Sequence, residues 1–194
     1  DGGQSSAMED LRALTGGAFS LHFVLLLAAS RLPVPLFEHF VRQLESFLFY
    51  YIFTKTPTKE LEKDFSIWAD EIRAISKEKS KPAQMNLLDT FITNRFKKGM
   101  KAREVELADA LRRYTLYSMQ RYRTNYLLAK ITRHVEMAFK GLKNRPPLRD
   151  FTALEIEHIL PNRPGQSLLD TFNKKHPDKD YHEQKTRLGN LTLL

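Results

Sequence analysis

Two short stretches of this 194-residue chain carry side chains suited to hydrolysis. In Ile156-Glu157-His158-Ile159-Leu160-Pro161 an imidazole stands beside a carboxylate, in an apolar run that a proline ends. Some thirty residues later, Arg187-Leu188-Gly189-Asn190-Leu191-Thr192-Leu193-Leu194 sets an amide at the start of a second apolar run. Histidine has an unperturbed pKa of ~6.5, so its neutral ring can take a proton from water at working pH. A carboxylate suits a hard cation such as Mg²⁺, which keeps several waters and needs few protein oxygens. By residue type alone, a histidine ending an apolar strand is more often a hydrogen-bonded structural residue, and Asn190 reads equally as a turn residue after glycine. His176 and His182 lie in a polar tract with no third ligand in view and read as exposed; His22, His39 and His134 lie in or beside apolar helical stretches and read as structural. There is no cysteine, which excludes disulfides and thiolate metal sites and suits a reducing cytosol.

Charge points to a polyanion. The net charge is +8, and it is concentrated: from Arg95 to Arg145 there are 14 Lys/Arg against four acids, a local +10. Such a surface fits nucleic acid, with a solvated helix face as the plainer alternative. Within it Arg112, Arg113, Arg121 and Arg123 alternate with Tyr114, Tyr117, Tyr122 and Tyr126. The arginines are candidate phosphate contacts, joined by Arg163, Lys174 and Lys175 in the tail. Tyrosines at helical spacing read first as core-edge residues with a wet hydroxyl.

These residues must be positioned by the rest of the chain. Leu36, Phe37, Phe40, Val41, Leu44, Phe47, Leu48, Tyr51 and Ile52 recur at helical spacing, as do Leu61, Phe65, Trp68, Ile72 and Ile75. A third stripe runs through Tyr126, Leu127, Ile131, Val135, Ala138, Phe139 and Leu142. Phe19–Ala29, Met85–Phe96 and Glu104–Tyr117 are expected as further helices, with Pro33, Pro35, Pro57 and Pro82 near helix starts. The pair Pro146-Pro147 closes this region. Beyond it, Leu154, Ile156, His158 and Leu160 alternate with Glu155 and Glu157, the period of a strand. The expected fold is mostly α: residues 1–15 a linker or disordered start, 16–144 a helical bundle, and 145–194 a small α+β domain of two strands joined by a long loop. The longest apolar run, Ala18–Ala29, is too short for the ~20 residues of a membrane span. The start has neither an initiator Met nor signal-peptide character, and a fragment of a longer protein is expected.

The paired motifs His158-Ile159-Leu160-Pro161 and Gly189-Asn190-Leu191-Thr192-Leu193-Leu194 resemble the HNH, or ββα-metal, nucleases, in the form found in the C-terminal domain of GmrSD-type modification-dependent restriction enzymes. The Ssp-type defence nickases look similar. The resemblance implies His158 as general base, Glu157 as a metal ligand, and Asn190 as the residue that hydrogen-bonds the histidine's loop. It implies Mg²⁺ or another divalent cation, a DNA substrate (modified or phage DNA), a bacterial cytoplasmic setting and a possible homodimer. It also implies a helix after the second strand carrying a further ligand, and an N-terminal nucleotide-hydrolysing sensor domain; neither is in this sequence. No Walker-type glycine loop is present, so no nucleotide site is expected. On a regular strand Glu157 and His158 would face opposite ways, so a shared site requires the chain to leave the strand there. The reading from another class is a non-catalytic helical DNA-binding or oligomerisation module with a degenerate nuclease remnant.

Overall fold

The structure, a computed structural model, describes residues 5–17 and 19–194. The chain is mostly helical with one two-stranded antiparallel sheet. It divides into two compact units, with the division inside the helix Glu104–Arg112: one unit runs to Ala110 and the other from Leu111 to Leu194.

In the first unit α1 (Ser6–Thr15) packs on α3 (Val34–Phe53), and α2 (Phe23–Ala29) packs on α4 (Lys59–Ser76). α5 (Lys81–Ile92) runs through a π-helical turn (Thr93–Lys97) into α6 (Lys98–Ala102), and α7 (Glu104–Arg112) follows. The prolines do what their ring geometry allows: Pro33 caps α3, and Pro35 and Pro82 sit in first turns, where no N–H is needed. The two apolar stripes of α3 and α4 meet in an aromatic core. Phe96 lies 4.9 Å from Phe47, 5.3 Å from Phe91, and 5.8 Å from both Phe40 and Trp68, centroid to centroid. The wide stripe on α3 is thereby buried from Leu36 to Phe53, as its period requires.

The expected linker at 1–15 is corrected over the described residues. Ser6–Thr15 is a helix, capped by the Ser5 hydroxyl, and Leu11 and Leu14 are buried. The short polar lead-in Ser5-Ser6 is an N-cap signal, read in the sequence as linker composition.

The second unit is built on α8 (Arg121–Lys140), which ends at Gly141 in the left-handed conformation that favours glycine. α9 (Arg149–Thr152) and β2 (Leu191–Leu193) pack on α8. β1 (Ile156–His158) pairs antiparallel with β2 in the register Ile156↔Leu193, Glu157↔Thr192, His158↔Leu191. The compact division thus puts α8 with the sheet, where the sequence grouped it with the bundle up to residue 144. The connection between strands is also not a plain loop: α10 (Gln166–Lys175), α11 (Tyr181–Gln184) and a 3₁₀ turn at Leu188–Asn190 occupy it. The third apolar stripe is only half used. Tyr126 and Leu127 are buried, whereas Ile131, Val135 and Phe139 are exposed, since the burial of α8 falls mainly on Thr124–Ala129, with Arg133 beyond it. Among the described residues no helix is long and apolar enough to cross a membrane.

Candidate active site

His158 is the last residue of β1 and is half-buried. Its strand neighbours decide which way it faces. Cross-strand partners share a face, so Ile156 and His158 lie on the side of buried Leu191 and Leu193, and Glu157 lies with Thr192 on the other. The chain stays in the strand through His158, so Glu157 and His158 leave the strand on opposite faces. Glu157 is exposed on its own face.

Beyond His158 the chain turns, and four bonds from one short segment hold the turn. The Ile159 N–H donates to the Asn190 carbonyl at 2.9 Å, and the Leu160 N–H donates to Asn190 Oδ1 at 2.7 Å. The Tyr181 hydroxyl donates to the Pro161 carbonyl at 2.8 Å, and Lys185 Nζ to the Asn162 carbonyl at 3.0 Å. Asn190 is itself buried, 7% exposed, and its Nδ2 donates to the Lys185 carbonyl at 2.7 Å. It therefore satisfies one backbone donor and one backbone acceptor at once, which Ala, Leu or Asp could not do. Tyr181, buried and edge-on to Phe172, anchors α11 to the same turn. Sequence reasoning missed Tyr181 and Lys185; a lone tyrosine in the polar tract from Asn173 to Lys185 was the available signal of an anchor.

His158 opens into a cleft of about 460 Å³ lined by Leu116, Tyr117, Met119, Arg121, Ile156 and His158. Arg121 is exposed at the first position of α8. The wall carrying Tyr117 is a rigid turn: the Thr115 N–H donates to Ser118 Oγ at 2.8 Å, and the Tyr117 N–H to Thr115 Oγ1 at 3.3 Å. Backbone bonds from Leu116 N to the Thr186 carbonyl (2.8 Å) and from Leu188 N to the Tyr114 carbonyl (2.9 Å) fasten this turn to the segment leading into β2. The core-edge reading of the tyrosines is corrected in both directions: Tyr114 and Tyr126 are buried, the Tyr114 hydroxyl bonding Thr124 instead of water, and Tyr117 is 79% exposed. Burial pushes the Tyr114 phenol above its ordinary pKa, against its hydrogen bond with Thr124.

The structure therefore brings Arg121 to His158, while Asn190 lies behind the turn. A second cavity of about 750 Å³ is lined by Arg112 and Asn190 together with Leu160, Phe172, His176 and Lys179. Arg123 is half-buried, its Nη1 donating to Gln120 Oε1 at 2.9 Å. Arg113, Arg163, Lys174 and Lys175 are exposed and line neither cavity. His176 and His182 are both exposed. Among the described residues no three His, Asp or Glu side chains gather as a metal site. With Glu157 turned away as well, these residues do not make up a site for the divalent cation that the motifs imply.

Comparison with known proteins bears on this geometry. Residues 101–194 match the family model of GmrSD restriction endonucleases, C-terminal domain. No curated protein and no solved structure matches the chain. The segment carrying the cleft, its histidine and the Asn190 strut lies within residues 101–194 and is similar to the C-terminal domain of the GmrSD restriction endonucleases.

Proposed function

We propose that the unit from Leu111 to Leu194 hydrolyses phosphodiester bonds of DNA, with His158 as general base. One observation carries this reading: the imidazole stands at a strand end, open to a cleft it shares with Arg121, on a turn pinned by buried Asn190 and Tyr181. His158 takes the proton of an attacking water, a role worth roughly 100- to 10,000-fold in rate. Arg121 supplies positive charge for the phosphate, as a planar five-donor group suits. Asn190 touches no reacting atom; it holds the backbone on which the imidazole is carried, so it is a positioning residue. The family supports DNA as substrate, and the local charge of +10 between Arg95 and Arg145 supports attraction to its backbone. A divalent-cation requirement is proposed on the family's chemistry alone, and no step above runs through the ion.

Plasmid nicking by the protein as its gene encodes it, with and without a chelator, tests the reading. His158→Ala is expected to lower nicking at least 100-fold with its melting curve unchanged. If His158→Ala nicks as fast as the parent, the base assignment is wrong.

One observation favours the non-catalytic reading: Glu157 and His158 lie on opposite faces. A DNA-binding module without hydrolysis would bind DNA with strong salt dependence and leave plasmids intact with every divalent metal tried.

A further inference from the structure

The cleft beside His158 has walls that a phosphate does not explain. Leu116, Met119 and Ile156 line it along with Arg121 and His158, and its volume of about 460 Å³ far exceeds one phosphate group. The apolar, flat parts of DNA are its bases. At the rim stands Tyr117, 79% exposed, on a turn held by the Thr115 and Ser118 side chains and tied by backbone bonds to Thr186 and Leu188. On so constrained a backbone, only the ring's own torsions remain to be ordered when something stacks on it. Every base offers a π-face, and a neighbouring guanidinium holds the adjoining phosphate.

We propose that this cleft is a nucleobase subsite: Tyr117 stacks a base unstacked from the strand, Leu116, Met119 and Ile156 receive its ring, and Arg121 holds the phosphate attached to it, next to His158. The proposal rests on the nuclease reading, which puts a phosphate at His158. It deepens that reading by naming the substrate's state. Bases in duplex DNA are stacked on both sides, so an occupied subsite demands a single-stranded, frayed or flipped nucleotide beside the cut. The subsite reads no base edge, because its lining offers mostly hydrophobic surface, and it therefore tolerates sequence.

The experiment is a binding cycle in chelator, where no strand is cut, using the protein as its gene encodes it. Fluorescence anisotropy is read on a short labelled single strand and on a strand of the same length with abasic sites throughout. Tyr117→Ala is expected to weaken binding of the normal strand roughly 5- to 150-fold. It should leave the abasic strand's affinity unchanged. Tyr117→Phe, which keeps the ring, should bind like the parent on both. An equal loss on both strands, or no loss on either, overturns the subsite. Because nothing is hydrolysed, this result is separate from His158→Ala nicking: coupling between Tyr117 and the bases upholds the subsite whichever way the nicking comes out.

Discussion

Replacing Asn190 with alanine removes two hydrogen bonds and leaves both backbone partners to whatever water reaches them. The Leu160 N–H loses its acceptor at 2.7 Å, and the Lys185 carbonyl loses its donor at 2.7 Å. A buried polar group left unpaired costs about 1–3 kcal/mol. Both partners are in partly buried surroundings, so water offsets some of that and the lower half of the range applies to each. The sum is about 2–4 kcal/mol. In a unit of this size each kcal/mol moves the melting temperature by about 4–8 °C, so a drop of roughly 10–30 °C is expected. Aspartate in place of Asn190 keeps an acceptor for Leu160 but aims an oxygen at the Lys185 carbonyl, so Asn190→Asp should also destabilise the unit. The local readout is amide hydrogen exchange: the Leu160 amide should lose protection in Asn190→Ala, while the amides of α8 far from the strut keep theirs relative to the lowered global stability. Nicking should fall with it, through the displaced His158, and at temperatures where the variant remains folded. An Asn190→Ala protein with unchanged melting and an unchanged Leu160 amide would refute the idea that this side chain holds the histidine's turn.

The first unit carries two further predictions, both readable through Trp68, the one tryptophan in the chain. Phe96→Ala should cost about 3–5 kcal/mol, because it empties the centre of a ring cluster whose members lie within 6 Å of it; denaturant unfolding followed by Trp68 fluorescence checks this, and an unshifted midpoint would contradict the packing argument. His22 is buried with an unpartnered Nδ1, and burial lowers its pKa to about 4 against a backbone hydrogen bond at Phe19. Its folded pKa lies below the unfolded value, so its contribution to stability is present above about pH 6.5 and is lost as pH falls through about 4. His22→Leu should flatten that limb of the stability profile, and an identical acid transition in parent and variant would show that His22 does not titrate as described.

Much of the helical architecture was legible because helix periodicity is a local property. The stripes on α3 and α4 announce a buried face with no knowledge of what covers it, and the ring cluster of Phe47, Trp68 and Phe96 follows once they meet. The same reasoning misjudged α8, since spacing says which residues share a face and nothing about whether a partner reaches it: Phe139 continues the stripe and is 89% exposed. It also mistook Gln166–Lys175 for loop, because a short helix with a mostly exposed surface leaves little apolar pattern.

The sequence by itself determined the residue types of the candidate site. His158 with a proline three residues later, and Asn190 at the head of an apolar strand, are chemistry-bearing choices visible in one dimension. What only the tertiary structure decided is their arrangement. Antiparallel pairing sets His158 opposite Leu191, and thereby turns Glu157 away. It also brings Asn190 within 2.7 Å of the Leu160 amide across thirty positions of chain. The turn at Thr115 sets Tyr117 at the rim of the histidine's cleft through bonds to Thr186 and Leu188. Each of these contacts joins residues far apart in sequence, and such contacts exist only once the chain has closed the loops between them, which no local pattern encodes.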